Sequence, residues 1–407
     1  MKLEFLNKLF YFLIISIAFS LPLFPNQLPI LIVLLVLVWL LQGDFKEKFI
    51  AIKNNRFAQL FLSFYFLLII GMFYTTNVLY GLKDLEQKLS ILIFPILLSN
   101  ISAIISDEKK FKTVLWSFVL GCFVASILCL FNATTVYFTT KENYFFYDFL
   151  SIFMHTSYFA MYLCFAIIII LVFLFNDKNN FSLFVKFSML FLTLFCSTMI
   201  VLLSSKMGVV VLFLIYISTI LFLIIQMKKI IFGIILMLLI TAAVLVSIKY
   251  SFTSYIRFSS AIDAVLNGDK NEGSVVRMNI WKSSLGIIKN NFFIGVGTGD
   301  VKDILLENYK QINLAKAIEI KLNAHNQFLQ TFITLGIVGF LILMAILFIP
   351  LVKSFKEKNY IYLFFLGIII INILVESMFE TQAGIIFYAF FNSLLMFSNP
   401  NSTIAKN

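Results

Sequence analysis

The sequence predicts an all-α, polytopic integral membrane protein of about twelve transmembrane helices, with one large outer, periplasmic loop that carries amphipathic helices. Three observations predict it. Hydrophobic residues make up 61% of the 407 and charged residues 13%, whereas soluble domains carry roughly 25% charged residues. Apolar residues, 50 Phe among them, come in blocks close to the roughly 20 residues that carry a helix across the hydrocarbon core. The Lys and Arg between the blocks fall mostly on one side of the chain's alternation.

In chain order the blocks run over 9–24, 28–41, 57–74, 89–105, 111–131, 149–175, 181–203, 207–226, 230–248, 328–352, 360–379 and 383–397. The first is followed almost at once by a second, with no evident small-residue cleavage site, so Phe10 onward reads as a first span, a cleaved signal peptide being the weaker alternative. The second and last blocks are short. A polar Ser204-Ser205-Lys206 alone separates the seventh from the eighth. With the amino terminus inside, seventeen Lys and Arg fall in inside segments and only Lys83, Lys88, Lys141 and Lys206 in short outside loops. Cytoplasmic loops are the basic ones, so both termini are expected in the cytoplasm. The other ten basic residues lie in 249–321, a long segment placed outside, and long loops are exempt from the rule.

This threading divides the chain into 1–248 with nine spans, 249–325 as the periplasmic loop, and 326–407 with three spans and a cytoplasmic tail. The net charge of +11 is thereby mostly topogenic, and basic residues scattered through short loops form no patch for nucleic acid. All four cysteines, Cys122, Cys129, Cys164 and Cys196, fall in apolar blocks. Without C-x-x-C or Cys/His spacing, neither a disulfide nor a structural metal is expected.

Within the long loop, Val276, Ile280, Trp281, Leu285 and Ile288 recur at helical spacing and predict an amphipathic helix against the membrane or the bundle. Gly295, Gly297 and Gly299 then end it. A second amphipathic stretch starts at Val301 with Ile304, Leu305 and Ile312, before the chain re-enters the bilayer after Asn323-Ala324-His325-Asn326. The glycine run lacks the preceding strand and the following Lys and Ser or Thr of a phosphate-binding loop, so it reads as a turn between helices.

The run R-M-N-I-W-K-S-S-L-G-I-I-K-N-N-F-F-I-G-V-G-T-G-D from Arg277, with N-A-H-N-Q-F-L-Q-T-F-I-T-L-G-I-V-G-F from Asn323, resembles the signature region of the O-antigen ligase and O-antigen polymerase family. The matching positions are Arg277, Trp281, Gly295, Gly297, His325, Asn326, Gly336 and Gly339. Softer echoes are H-T-S-Y at His155, K-L-S-I-L-I-F-P at Lys88 and S-S-K-M-G around Lys206. Two positions depart from the pattern: the usual Pro before the G-x-G turn is Phe292 or Phe293, and Lys206 stands where many relatives carry Arg and lacks the bidentate fork.

The resemblance implies a C-type glycosyltransferase of the bacterial inner membrane, needing no cofactor and no metal. It would move a glycan from a polyprenyl-pyrophosphate-linked donor to an acceptor hydroxyl at the outer face. O-antigen ligation to lipid A-core is the expected reaction, with O-antigen polymerase as the alternative within the class. A secondary transporter is the alternative outside it; twelve spans suit one, but no internal repeat of two halves is visible.

Such transfer sets three tasks: holding the pyrophosphate, taking the acceptor proton, and keeping both groups beside a donor that lies in membrane lipid. Arg and Lys suit the first, and a neutral imidazole, ordinarily titrating near about 6.5, suits the second. Hence His325, Asn326 and Arg277 are the catalytic candidates, with Arg277, Lys206 and Lys88 for pyrophosphate. His155, Trp281, Glu376 and Glu380 are possible support. Of these, His325, Lys206, Lys88, His155, Glu380 and Arg277 are expected on the outer side of the membrane. Each also has a plainer reading: His325 as a helix-start residue bonded to backbone, Arg277 as a snorkelling cation beside an interfacial Trp. Glu376, placed inside the eleventh span, and Glu380 are costly acids near the membrane, serving the reaction or pairing with Arg277 or Lys206.

Overall fold

The computed structural model of the chain describes residues 2–105, 107–175, 181–225, 231 and 273–398. Every regular element among them is helical. The first stretch holds α1 (Lys2–Ser20), α2 (Leu28–Leu41), α3 (Phe45–Asn54), α4 (Arg56–Gly71), α5 (Val78–Gln87) and α6 (Leu89–Leu98). It is followed by α7 (Glu108–Thr140), α8 (Tyr147–Leu150), α9 (Thr156–Phe175), α10 (Leu183–Leu202) and α11 (Lys206–Ile225). After residue 272 come α12 (Gly273–Asn290), α13 (Val301–Gln311), α14 (Ala315–Glu319), α15 (Gln327–Lys356), α16 (Tyr360–Ile373) and α17 (Gln382–Phe397). Among the described residues seven helices are long and apolar enough to cross a membrane, eight if α2 and α3, bent by 113°, are one broken span.

The expected blocks reappear as helices, with four corrections. Block 89–105 yields only the ten residues of α6, with Pro95 inside it, too short to cross the hydrocarbon core unaided. Block 149–175 becomes helical as α9 only from Thr156. The eleventh block ends as a helix at Ile373, so Glu376 lies beyond the span and not within it. Leu285, assigned to the apolar stripe of the loop helix, is 59% exposed; Val276, Ile280, Ile287 and Ile288 form the buried face instead. The ninth block, 230–248, lies outside the described residues.

Residue contacts divide the chain into two compact units. One comprises Ile15–Leu28 and Thr113–Ile262, and α9 is its core. That helix is apolar on all sides and buried along most of its length, the pattern of a helix enclosed by others. Its neighbours are α10 and α11, which Ser204 separates: a left-handed φ of 49° there ends α10 before Lys206 begins α11.

The other unit comprises Met1–Ile14, Pro29–Lys112 and Asp263–Asn407. Here α17 packs on α6, and α15 packs on α4 and α16. Residues 384–397 of α17 are all buried, and aromatic rings interlock across the seams, as in Phe94 against Phe390 at 5.4 Å between centroids. Some polar side chains in this core pair internally, as a bilayer favours: Tyr362 Oη meets Asn392 Oδ1 at 2.7 Å.

Three helices of this unit pack together and against α15. α12, α13 and α14 bury a common cluster that includes Val276, Ile280, Leu305, Tyr309 and Ile333. The glycine run beyond α12 then threads between α4 and α15. α15 is interrupted at Gly336, whose φ of 64° and ψ of −160° suit glycine alone. The interruption removes the helical partners of Ile333 O, Thr334 O and Ile337 N, and the loop replaces them. Val296 N donates to Ile333 O at 2.8 Å, Gly297 N to Thr334 O at 3.0 Å, and Ile337 N to Phe292 O at 2.8 Å. A side chain on Gly295 would place its Cβ 2.5 Å from the Thr334 carbonyl. On the opposite side, Thr298 Oγ1 donates to Leu68 O at 2.7 Å, and Tyr74 Oη to Ile294 O at 2.6 Å. Asp300 accepts from Thr76 N and Asn77 N at 2.9 and 2.7 Å.

Candidate active site

At the mouth of α15 the chain passes through His325, whose φ of 45° is uncommon for a residue with a side chain and marks a held conformation. The hold comes from both sides. His325 N donates to Asn323 Oδ1 at 2.9 Å, and His325 O accepts from Trp281 Nε1 at 3.3 Å. Asn326 caps α15, its Oδ1 accepting from Leu329 N at 3.1 Å, the ordinary role of Asn at a helix start. Its Nδ2 donates to Leu374 O at 2.9 Å and its backbone N–H to Ser377 Oγ at 3.2 Å. The strap between α16 and α17 is thereby fastened beside the histidine.

That strap carries Glu376. Its Oε2 lies 3.0 Å from His325 Nδ1, and its Oε1 accepts from Arg277 Nη2 at 2.6 Å. Glu376 and His325 are each 16% exposed, Arg277 34%. A carboxylate against Nδ1 selects the tautomer with the proton on Nδ1, leaving Nε2 a lone pair. The same carboxylate stabilises the imidazolium once Nε2 takes up a proton. Arg277 gives Glu376 one of its guanidinium's five N–H donors, and the half-buried fork is the group that binds phosphate oxygens in pairs.

A second charged cluster lies at the other end of the strap. Lys88 Nζ donates to both oxygens of Asp84 at 2.7 Å and reaches the Glu380 carboxylate at 2.9 Å. Asp84 and Lys88 are buried, Lys88 to 4% exposure, and the Glu380 side chain is 9% exposed. Burial pushes the Asp84 carboxyl up to about 7, against the pull of the Lys88 ammonium, while the two carboxylates hold Lys88 above the usual lysine range despite burial. Gln327, 1% exposed, completes the link: its Oε1 accepts from Phe379 N at 2.7 Å and its Nε2 lies 3.4 Å from Glu380 Oε1.

The structure thus gathers His325, Asn326, Arg277, Trp281 and Glu376 at one place, and Lys88 with Glu380 at the strap's far end. Lys88 is a correction: its ammonium is enclosed between two carboxylates, which does not suit a first contact with pyrophosphate. His155 and Lys206 belong to the other unit. His155 Nδ1 accepts from Ser157 N at 3.3 Å and its carbonyl from Tyr158 N at 3.0 Å, so the ring helps start α9. Lys206 is half-buried at the start of α11. Asp84, Gln327 and Ser377 escaped sequence reasoning, although Asp84 stands four residues before Lys88, the spacing of a helical ion pair.

Among curated proteins none matches the chain. Residues 190–344 match the model of a protein family described as O-antigen ligase, a segment that holds Lys206, Arg277, Trp281, His325 and Asn326. The match supports the O-antigen ligase family for that segment.

Proposed function

We propose that the protein joins O-antigen, carried on a polyprenyl pyrophosphate, to a hydroxyl of lipid A-core at the outer face of the bacterial inner membrane. Glycan transfer of the ligase and polymerase type is the family's activity; the acceptor, the membrane face and the residue roles are our reading. One observation carries it: a single carboxylate, Glu376, holds both His325 Nδ1 and Arg277 Nη2. A base and a phosphate-binding cation are thereby kept side by side at the mouth of a span. The acceptor oxygen bonds the anomeric carbon and gives its proton to His325 Nε2. The bond from that carbon to pyrophosphate oxygen breaks, and the electron pair leaves on polyprenyl pyrophosphate beside Arg277. Asn326 fixes the backbone of the base and Trp281 its carbonyl. No step needs a metal.

The test is His325→Ala in cells and in a purified assay with donor and core acceptor. General-base removal typically costs about 100- to 10,000-fold, with normal expression expected for a residue at a span's mouth. In cells the variant should leave lipid A-core without polymer and polymer stranded on its carrier; core bearing a single repeat would instead mean a polymerase. Full activity of His325→Ala would overturn the mechanism. So would abolition of wild-type activity by chelator with rescue by a divalent ion.

A further inference from the structure

We infer that Lys88, Asp84 and Glu380 are positioning residues for the transfer reaction, setting the place of the Glu376 carboxylate through the strap that joins α16 to α17. The inference rests on the roles proposed for His325 and Glu376. Glu376 N keeps a last helical bond, to Asn372 O at 3.0 Å, and up to Thr381 the strap then has only the 3-10 turn Met378–Glu380. Side chains fasten the rest of it. At the near end, Ser377 Oγ accepts from Asn326 N at 3.2 Å. In the middle, Gln327 Oε1 accepts from Phe379 N at 2.7 Å. At the far end, Glu380 is clamped by Lys88 at 2.9 Å, and Lys88 is itself fixed by the two 2.7 Å bonds to Asp84.

Such a cluster is expensive to assemble, because its ionisable groups lose hydration. Their attraction is strong only if the geometry is kept, which makes the cluster a stiff anchor and not an adaptable one. Glu376 must meet His325 Nδ1 and Arg277 Nη2 at once, and misplacement by about 1 Å can cost about 100-fold in rate. α5 and α6, remote in sequence from every catalytic candidate but Lys88, thereby act on the reaction without touching the substrate.

The experiment uses the full-length protein with polyprenyl-pyrophosphate donor, measuring kcat and donor KM for Lys88→Met, Lys88→Arg, Glu380→Ala and Glu380→Gln. Lys88→Met and Glu380→Ala should each lower kcat by about 100-fold. Donor KM should stay within about twofold, the signature of a lost transition-state alignment. Glu380→Gln should recover most of the rate, since an amide oxygen still accepts from Lys88 and the Lys88–Asp84 pair remains balanced. Lys88→Arg should recover part. A raised donor KM with unchanged kcat in Lys88→Met would mean direct contact with pyrophosphate and overturn the inference, as would unchanged kcat in Glu380→Ala. If Lys88→Met fails to fold, the contrast between Glu380→Ala and Glu380→Gln decides alone. Full activity of His325→Ala would instead remove the functional reading beneath it.

Discussion

Replacing Glu376 by Gln changes one oxygen to an amide nitrogen and little else in shape, so it isolates what the carboxylate does. The side chain accepts charge-assisted bonds at 2.6 Å from Arg277 and 3.0 Å from His325, a kind that contributes about 1.5–3 kcal/mol each. Arg277 is a third exposed, and solvent screening lowers its share. In the proposed mechanism the bond to His325 is the one on the reaction path. Losing about 2–3 kcal/mol there is worth about 30- to 150-fold in rate. An amide can also present N–H to Nδ1, favouring the tautomer whose Nε2 already carries hydrogen and cannot accept the acceptor's proton. In serine proteases, the comparable Asp-to-Asn change costs about 10,000-fold. We therefore expect kcat to fall by between about 100- and 10,000-fold. Single-turnover transfer from polyprenyl-pyrophosphate donor to core acceptor, followed by gel shift of the product, measures it. If Glu376 acts through His325, Glu376→Gln in a His325→Ala background should slow the reaction no further. Retention of more than about a tenth of wild-type kcat, or strict multiplication of the two defects, would refute the dyad.

Arg277→Ala should lose nearly all transfer while Arg277→Lys keeps part, because the charge survives but the planar fork does not; wild-type turnover of Arg277→Ala at normal expression would end its assignment to pyrophosphate. Burial raises the Asp300 carboxyl, but the N–H groups of Asn77 and Thr76 and the Thr76 hydroxyl outweigh it and hold the carboxyl below its ordinary value. Its stabilisation is therefore fully present above the unfolded value of about 3.8 and lost as pH falls through the lowered one, so thermal unfolding should separate Asp300→Asn from wild type at pH 7 and bring the two together in strong acid. Asn290→Cys should react with an impermeant thiol reagent in intact cells from which the outer membrane barrier has been removed, a clean reading because the native cysteines are all buried; reaction only after the inner membrane is opened would reverse the topology.

What the sequence made legible followed from local periodicity. Val276, Ile280 and Ile288 announced the buried face of α12, three glycines announced the turn, and Asn326 announced the start of α15. Leu285 matched the helical count yet faces outward, because a stripe's edge depends on the neighbour it meets. The charged partnerships were harder to read. Glu376 sits 51 residues from His325 and 99 from Arg277, and hydropathy carried the eleventh block past the point where the helix ends. Lys88 showed the opposite difficulty: an outer-face lysine before a span suggests an exposed cation, and nothing local reveals that Glu380, 292 residues away, closes over it.

The threaded glycine loop has a consequence for how the chain is made. Tyr74 finds its carbonyl partner 220 residues later, and Thr76 finds Asp300 after 224. At about 5–20 residues per second, roughly 10–45 s of synthesis separate the emergence of α4 from that of the segment that packs against its carboxyl end. During that interval the hydroxyl of Tyr74 and the backbone N–H groups of Thr76 and Asn77 must be served by water at the membrane surface. The break at Gly336 comes still later, and only then can Val296 and Gly297 find their acceptors. This end of α4 is thus completed long after α4 itself is made, so a ribosome stalled before α15 would leave an intermediate with that end open.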